Sequence, residues 1–386
     1  MFEKKIKEMA SQAGITVNGE NPWDIKVIDK RVYKRIALDG ALGLGESYME
    51  GWWECDQLDE LFNRLMKLYR SNDYASWKVR LDKFKRRLVN FQTIRGSKKV
   101  ANLHYNLGNN FYKKMLGDAM AYSCGYWQDT EDLQESQNNK YELICKKLQL
   151  KKGEKVLEIG CGWGGLAKYM SEKYKCEVVG VNISKEQVKF GKKICENLPV
   201  EIILADYRHP KNYNPNNIKF DKAVSVGMFE HVGPKNFRPY FRIIQNQIKD
   251  DGLFLLHTIG SNITGLSGNS WIHKYIFPEG VLPSCAQIAD TSEGYFIIED
   301  WHNFGPDYDK TLMAWYNNFD KYWNDEKSNP EIDLNLKGKS DQIFYKMWRY
   351  YLLQCAGLFR SRYCQLWQVV FSIRLSGGYE SIRKLQ

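Results

Sequence analysis

The stretch Val156-Leu157-Glu158-Ile159-Gly160-Cys161-Gly162-Trp163-Gly164-Gly165 decides the fold of this chain. Val156, Leu157 and Ile159 form the apolar run that is typical of a strand covered on both faces. The glycines after it predict a tight turn at which a ligand can approach the main chain. The residues beyond Gly165 predict a helix, whose first N–H groups point at that ligand. The stretch therefore predicts a strand–turn–helix unit that binds a small molecule.

The order of the glycines narrows the class of ligand. A G-x-G-x-x-G turn occurs in many dinucleotide-binding proteins, so glycine spacing alone is a weak signal. Here the order is G-x-G-x-G-G, and Glu158 precedes it within the strand. This combination resembles motif I of the class I S-adenosylmethionine (AdoMet) methyltransferases. A carboxylate suits a ligand with an ammonium and a sulfonium and does not suit a pyrophosphate. A different nucleotide-binding fold is the alternative.

A regular alternation of strands and helices continues from the glycine turn and predicts a parallel sheet with helices on both faces. The predicted strands are 155–160, 177–183, 200–206, 221–227 and 253–259. Segments 295–301 and 366–373 predict two more strands, the antiparallel pair that closes a methyltransferase sheet. The predicted fold class is therefore α/β: a Rossmann-like, seven-stranded, mostly parallel sheet. Its ligand is expected at the carboxyl edge of the strands.

The chain is predicted to contain two domains. Residues 1–100 are expected to form a smaller, mainly helical domain that engages lipid, and residues 101–386 the AdoMet-dependent catalytic domain. The aromatic-rich segment 102–133 precedes the sheet and is expected to cap its ligand site. Insertions 261–293 and 309–357 are too long for simple connections, so we expect them to build the substrate pocket.

The composition indicates a globular protein that stays in the cytoplasm. The chain has 386 residues, of which 43% are hydrophobic, enough for two domains with a sizeable core. No apolar run approaches the ~18–20 residues of a membrane span, and the first residues lack the apolar core of a signal peptide. The nine cysteines are scattered without a C-x-x-C pair, so neither disulfides nor a metal site is expected.

The net charge of +10 favours an anionic partner. Nine basic residues and one acid lie between Lys78 and Lys99, and residues 77–91 carry an apolar stripe at helical spacing. A basic amphipathic helix can bind an anionic membrane surface. The alternative is a helix that packs on its own domain and exposes a solvated basic face. The two interpretations are compatible, and the first predicts peripheral contact with the inner face of a membrane.

Several blocks of residues give a closer family resemblance. They are His104-Tyr105-Asn106, Tyr122-Ser123-Cys124-Gly125-Tyr126-Trp127, Gly160-Cys161-Gly162-Trp163-Gly164-Gly165, Val226-Gly227-Met228-Phe229-Glu230-His231-Val232-Gly233, His257-Thr258-Ile259, Tyr275-Ile276-Phe277-Pro278 and Trp301-His302-Asn303-Phe304-Gly305-Pro306-Asp307-Tyr308. These blocks resemble, in the same order, the cyclopropane-fatty-acyl-phospholipid synthases and their mycolic acid relatives. The resemblance extends from about residue 100 to the C-terminus, and residues 1–100 match the bacterial phospholipid enzymes.

The resemblance implies transfer of a methylene group from AdoMet to the cis double bond of an unsaturated acyl chain in a phospholipid. The reaction passes through a carbocation, and in the family a bound bicarbonate is thought to remove the proton. The residues that would hold this anion, by resemblance, are Cys124, Glu230, His257, Ile259 through its backbone, and Tyr308. No metal is implied, and a homodimer is expected. Without the resemblance, a lone histidine such as His257 is usually structural, and Cys124 is more often a small buried apolar group than a ligand.

The resemblance also assigns the residues expected to bind AdoMet. They are Tyr122, Ser123, Gly160, Gly162, Gly165, Asn182, Gln187, Asp206 and Tyr207. Many methyltransferases carry an acid at the end of the second strand, where this chain has Asn182. Asn182 and Gln187 can still hydrogen-bond the ribose hydroxyls. Asp206 can accept from the adenine amino group.

Three other functions are alternatives to this one. A nucleic-acid methyltransferase suits the basic charge, but residues 227–231 lack the N/D-P-P-Y/F motif and no cysteine follows a proline. We therefore expect no nucleic-acid partner. A non-catalytic scaffold with a decayed site conflicts with the intact glycine turn. A related lipid methyltransferase with a methyl-branched or methylene product shares every AdoMet residue and stays open.

Overall fold

The computed structural model of the chain describes residues 2–71, 108–265, 269–278, 280–325 and 341–385. The predicted basic helix 77–91 and the block His104-Tyr105-Asn106 lie outside the described residues. Within those residues, no helix has the length and apolarity needed to cross a bilayer.

The described elements are, in chain order, α1 (Phe2–Gln12), β1 (Lys26–Val27), α2 (Arg31–Asp39), α3 (Ala41–Met49), β2 (Trp53–Glu54), α4 (Leu58–Ser71), α5 (Asn109–Leu116), α6 (Leu133–Lys147), β3 (Lys155–Ile159), α7 (Gly165–Tyr174), β4 (Glu177–Asn182), α8 (Lys185–Ile194), β5 (Val200–Leu204), β6 (Phe220–Val226), α9 (Phe237–Gln245), β7 (Ile248–Ser261), α10 (Ser270–Tyr275), α11 (Cys285–Ser292), β8 (Ile297–Asn303), α12 (Pro306–Asp325), α13 (Asp341–Arg360) and β9 (Cys364–Ser372). Short 3₁₀ turns follow β5 and β6.

The chain divides into two compact units that differ from the predicted domains. One unit contains Met1–Arg87, Ser267–Pro278 and Tyr308–Cys364, and the other contains Leu88–Leu266, Glu279–Asp307 and Gln365–Gln386. Part of the predicted insertion 261–293 and all of the predicted insertion 309–357 therefore group with the N-terminal residues and not with the sheet. The functions assigned to the two domains stay predictions.

Contacts within the first unit explain why residues 267–278 belong to it. The carboxylate of Glu46 accepts hydrogen bonds from Lys274 Nζ at 2.5 Å and from the Tyr275 hydroxyl at 2.8 Å. A Cβ atom on Gly45 would lie 2.3 Å from the indole of Trp271, so only glycine permits this packing. The insertion thus anchors on α3 through one buried indole and one shared carboxylate.

The second unit contains the predicted seven-stranded, mostly parallel sheet, which confirms the fold class. The strand order is β5-β4-β3-β6-β7-β9-β8. β3 pairs in parallel with β4 and β6, and the pairs β4–β5 and β6–β7 are also parallel. The last strand, β9, pairs antiparallel with β8, as predicted for the closing pair.

Alternating residues of β3 contribute to two separate cores, one on each face of the sheet. Val156 packs in a cluster with residues of α6 and α7, whereas Leu157 packs in a cluster with residues of α9. Residues 156–159 are all buried, which is why the stretch reads as a continuous apolar run around Glu158. The glycine turn therefore begins at the carboxyl edge of a central, rigid strand.

Candidate active site

The glycine turn presents one of its glycines to open space. Gly160 and Gly162 adopt φ angles of 79° and 53°, in the left-handed region that favours glycine. A Cβ atom on Gly160 would lie 2.8 Å from the side chain of Met228. A Cβ atom on Gly162 would meet no described atom within 4 Å. Gly162 is therefore the position at which a ligand can lie against the main chain.

Gly165 has a different role from Gly162. A Cβ atom on Gly165 would lie 2.7 Å from the Tyr141 hydroxyl and 3.1 Å from the carbonyl oxygen of Ala119. Glycine at this position lets the first turn of α7 pack closely against α6. Packing explains this glycine without a ligand, and its assignment to AdoMet stays a prediction.

Asn182 and Gln187 form a hydrogen-bonded network with the glycine turn. Asn182 Nδ2 donates to the carbonyl oxygen of Gly162 at 3.0 Å and to Gln187 Oε1 at 2.9 Å. Asn182 Oδ1 accepts from the Ser184 N–H at 3.0 Å, where α8 begins. Asn182 therefore ties the end of β4 to the glycine turn. Neutral amides suit these contacts, so the network gives a structural reason for the departure from the acid found in many methyltransferases.

Asp206 and Tyr207 follow the end of β5. The Asp206 carboxylate accepts from Arg208 Nε at 2.8 Å and from the Arg208 N–H at 3.0 Å. Burial raises the pKa of Asp206, but the hydrogen bonds from Arg208 outweigh it and hold the pKa below its ordinary value. Tyr207 packs edge-on against Tyr240, with ring centroids 5.4 Å apart. An ionised carboxylate remains able to accept a further hydrogen bond from an adenine amino group.

The described part of the predicted cap contacts the glycine turn. On α5, the ring of Tyr112 lies between Trp163 and Tyr122, with centroid distances of 5.2 and 5.7 Å. Trp163 Nε1 donates to Asn109 Oδ1 at 2.9 Å. Aromatic rings from two segments of the predicted cap therefore adjoin the turn.

Ser123 lies beside the end of β6. A Cβ atom on Gly227 would lie 3.8 Å from the Cβ of Ser123. Gly227 precedes Glu230 by three residues, and its N–H donates to the carbonyl oxygen of His257 at 2.9 Å. The Ser123–Cys124 segment, Glu230 and His257 thus converge at the carboxyl ends of β6 and β7.

Glu230 and His257 each present a buried polar atom that no described residue satisfies. Glu230 Oε1 accepts from the Ile259 N–H at 2.7 Å, while its Oε2 is buried without a partner among the described residues. His257 Nδ1 lies 3.3 Å from Gln368 Nε2, and when that amide donates to Nδ1 the neutral ring carries its proton on Nε2. That Nε2 is also buried and has no described partner. Other buried polar atoms of the described residues also lack a partner, but these two lie together, because His257 pairs with the last residue of β6 and Glu230 follows that strand. This convergence makes the pair a candidate ligand site.

Burial also sets the protonation of these two residues. It raises the pKa of Glu230 to about 7, against opposing hydrogen bonds from Ile259 and Thr258. Burial lowers the pKa of His257 well below its ordinary value, and the charges of Lys140 and Lys147 lower it further. A protonated Glu230 and a neutral His257 present two hydrogen-bond donors. The residues present therefore fit a small anion such as bicarbonate.

The raised pKa of Glu230 predicts a pH-dependent stability. Because the folded protein holds this proton more tightly, the free energy of unfolding falls between the ordinary pKa of 4.5 and about 7. Glu230→Gln has no titrating carboxyl group at this position, so it does not show this fall in the free energy of unfolding. The variant should gain up to about 3 kcal/mol relative to the wild type between roughly pH 5 and pH 8. Thermal unfolding measures this difference, with Glu201→Gln, an exposed position on β5, as the control. If the stability of Glu230→Gln and that of the wild type change with pH in the same way, the pKa of Glu230 is not raised in the folded protein.

The remaining predicted anion ligands are Cys124, Ile259 and Tyr308, and they do not all belong to the same unit. Cys124 is fully buried, and its thiol donates to the carbonyl oxygen of Gly125 at 3.1 Å. The Ile259 N–H is already used by Glu230, so its observed role is to orient that carboxyl group. Tyr308 belongs to the other unit, where its ring packs on Phe359 with a centroid distance of 4.5 Å. Three of the five predicted ligands, Glu230, His257 and Ile259, are thus brought together with the Cys124 segment in one unit.

Sequence reasoning missed Lys140, a buried lysine behind the site. Its Nζ donates to Ser123 Oγ at 2.8 Å and to Gln137 Oε1 at 2.5 Å. Only 1% of Lys140 is exposed. A lysine in the middle of a helix is ordinarily exposed to solvent. The sequence of α6 carries no signal that its polar residues around Lys140 are buried.

The sheet order, the glycine turn at the end of β3 and the polar groups that follow β6 and lie beside its end on β7 define a class I methyltransferase. The family model of "Mycolic acid cyclopropane synthetase" matches residues 92–369. The chain belongs to this family.

Comparisons with individual proteins agree with the family. The chain is 49% identical to the cyclopropane-fatty-acyl-phospholipid synthase of Escherichia coli (strain K12), over 97% of this chain and 94% of that protein. It is 31% identical to a sphingolipid C9-methyltransferase of Komagataella phaffii, over 88% of this chain and 72% of that protein. A crystal structure of a mycolic acid cyclopropane synthase complexed with SAH and CTAB matches with a TM-score of 0.62 at 27% identity. That match covers 71% of this chain and 97% of that one.

Proposed function

We propose that this protein is a cyclopropane-fatty-acyl-phospholipid synthase, which uses AdoMet to convert the cis double bond of a phospholipid acyl chain into a cyclopropane ring. The observation that carries the proposal is the 49% identity to the Escherichia coli enzyme of that name over 97% of this chain. The buried, unpaired polar atoms of Glu230 and His257 support a reaction centre at the same edge of the sheet as the glycine turn.

The reaction requires one carbon–carbon bond to form before a proton is lost. The double bond attacks the methyl carbon of AdoMet, the carbon–sulfur bond breaks, and a carbocation remains on the acyl chain. Loss of a proton from the added methyl group then closes the ring. Bicarbonate, when bound, supplies the base for this proton. A buried site is suited to the step because it excludes water, which would otherwise trap the cation.

The chain's own residues position and protect these groups. His257 Nε2–H and a protonated Glu230 would donate hydrogen bonds to the anion, and the Ile259 N–H holds Glu230 in place. The ring of Phe304 lies edge-on to His257 at 5.9 Å and shields it with an apolar surface. Cys124 and Tyr308 stay predicted ligands of the anion. AdoMet would lie against Gly162, next to the network of Asn182 and Gln187.

The product of the reaction tests the proposal. Vesicles of a phospholipid with cis-unsaturated chains are incubated with the protein and AdoMet, and the extracted lipid is analysed by mass spectrometry and proton NMR. We expect a gain of one CH2 unit, loss of the olefinic protons and appearance of cyclopropyl protons. A lipid that stays unmodified under these conditions would refute the proposed activity.

A second candidate is a lipid methyltransferase with a methyl-branched or methylene product. The observation that favours it is the 31% identity to the sphingolipid C9-methyltransferase. Such an enzyme shares the first bond-forming step but loses its proton from another carbon. The lipid then gains the same CH2 unit but keeps a double bond, so the NMR spectrum separates the two candidates.

We also propose that the protein acts as a homodimer.

We propose further that residues 77–91 contact the cytoplasmic face of the membrane. Changing Lys83, Lys85, Arg86 and Arg87 to Gln should weaken binding to anionic vesicles by ~1 kcal/mol per charge. The loss should shrink in high salt, which screens the wild-type attraction. Vesicle sedimentation measures both effects.

Four exposed lysines on α8 provide a charge-matched control for this prediction. They are Lys185, Lys189, Lys192 and Lys193. Their replacement by Gln removes the same charge and should change vesicle binding much less. An equal loss in both variants would mean that net charge alone attracts the protein to the membrane.

A further inference from the structure

Helix α6 holds the Ser123–Cys124 segment in place with buried polar side chains. Gln137 Nε2 donates to the carbonyl oxygen of Ser123 at 2.9 Å, and Lys140 Nζ donates to the hydroxyl of the same residue at 2.8 Å. Both Gln137 and Lys140 are almost fully buried. The Tyr126 N–H donates to the carbonyl oxygen of Ser136 at 2.8 Å. The segment that carries Cys124 is thus docked on one face of α6.

Lys140 is unusual because its hydrogen-bond partners are neutral. They are a hydroxyl and an amide oxygen, and among the described residues no carboxylate lies within 4 Å of its Nζ. Glu158 and Cys124 face it at longer range. Burial lowers the pKa of Lys140 to about 7, which these two groups only partly offset. A buried ammonium without a close anion is costly, and a nearby anion would stabilise it.

The second buried lysine of α6 differs in this respect. Lys147 Nζ lies 3.6 Å from Asp300 Oδ2, and both side chains are fully buried. His302 Nδ1 lies 3.0 Å from the same ammonium. Lys147 therefore has a carboxylate within 4 Å, which it shares with Arg383 at 2.5 Å, whereas Lys140 has none among the described residues.

The proposed anion site, in contrast, lacks a positive charge among its predicted ligands. Its proposed anion ligands, including Glu230 and His257, supply a carboxyl group, an imidazole, a thiol and a phenol, none of them a permanent cation. A small anion in a buried site needs an opposite charge nearby. Lys140 is linked to this site through Ser123, and its charge acts on His257. We propose that Lys140 is the cation that balances a bound anion in the active site. The inference rests on the proposed function, because it takes that anion to be bicarbonate.

Two substitutions separate the charge of Lys140 from its hydrogen bond. Lys140→Gln removes the charge and keeps a donor for Ser123, whereas Lys140→Met removes both. Lys146→Gln is the control on the same helix, since Lys146 is partly exposed and pairs with Glu142 at 3.8 Å. For the full-length chain, binding of ¹³C-bicarbonate is measured by NMR and binding of AdoMet by calorimetry. We expect bicarbonate affinity to fall by at least about tenfold in both Lys140 variants and to stay unchanged in the control.

The two affinities respond differently if the proposal holds. AdoMet affinity should stay near the wild-type value in Lys140→Gln and fall only in Lys140→Met, where Ser123 loses its donor. If Lys140→Gln binds bicarbonate as the wild type does, Lys140 serves only as a hydrogen-bond donor and the inference is overturned. The proposed cyclopropanation would be untouched by that result.

Other outcomes distinguish the inference from the function on which it rests. A wild type that makes the cyclopropane without binding bicarbonate overturns both the anion and the role of Lys140. A wild type that binds bicarbonate through Lys140 but forms no cyclopropane supports the inference and refutes the function. If the variants fail to fold, the inference is tested instead on the wild type, by NMR of ¹³Cε-labelled lysine with and without bicarbonate. Bicarbonate should then shift the resonance of a buried lysine, and an unchanged spectrum would overturn the inference.

Discussion

Replacement of Glu230 by Gln is expected to lower kcat by about 10²-fold or more, because it removes a group that positions the base. Glutamine keeps the size of the side chain and can still accept the hydrogen bond from the Ile259 N–H. It cannot exchange a proton at Oε2, the buried atom that no described residue satisfies. An interaction made mainly in the transition state affects kcat and kcat/KM equally.

Steady-state kinetics and AdoMet calorimetry check this prediction together. AdoMet affinity should change little, and Glu201→Gln should retain full activity. Carbonate-depleted buffer should also slow the wild type, and added bicarbonate should restore its rate. If the wild type runs at full rate without carbonate, the bicarbonate role is wrong. Glu230 or His257 would then have to remove the proton directly.

Replacement of Gly162 by Val is expected to weaken AdoMet binding at least about tenfold, or 1.4 kcal/mol. The new side chain would occupy the open space that a Cβ at Gly162 enters, where the methionine part of AdoMet is proposed to lie. The φ angle of 53° adds strain, so part of any effect could arise from the backbone alone.

Gly153→Val provides the matched control for that strain. Gly153 adopts a φ of 84° in the turn before β3, and a Cβ there also meets no described atom within 4 Å. Calorimetry and thermal unfolding are measured for both variants. The two should lose similar stability, but only Gly162→Val should lose AdoMet affinity. Equal AdoMet affinity in Gly162→Val and the wild type would remove this turn from the site.

The sheet could be predicted from the sequence because its strands are buried on both faces. Such strands appear as apolar runs between helical patterns, as in 155–160, and their lengths agree with the structure to within a few residues. Strand β7 is the main exception, since it begins at Ile248 and not near residue 253. Its first residues include Asp250 and Asp251, which obscure the apolar pattern.

The site could be predicted only in part, because spacing does not distinguish a ligand contact from close packing. Gly162 and Gly165 look equivalent in the motif, yet only Gly162 faces open space while Gly165 accommodates Tyr141. Lys140 escaped prediction because its burial depends on contacts with a distant loop. The grouping of residues 267–278 likewise depends on Glu46 and Trp271, which are far apart in sequence.

The central claim is that the added carbon closes a ring after losing one of its own protons. AdoMet with a fully deuterated methyl group tests it directly, with a cis-unsaturated phospholipid as acceptor and mass spectrometry of the product. Ring closure removes one deuteron, so the account predicts a cyclopropane whose methylene carries two deuterium atoms. A product that retains all three would place the proton loss on another carbon and would contradict the account.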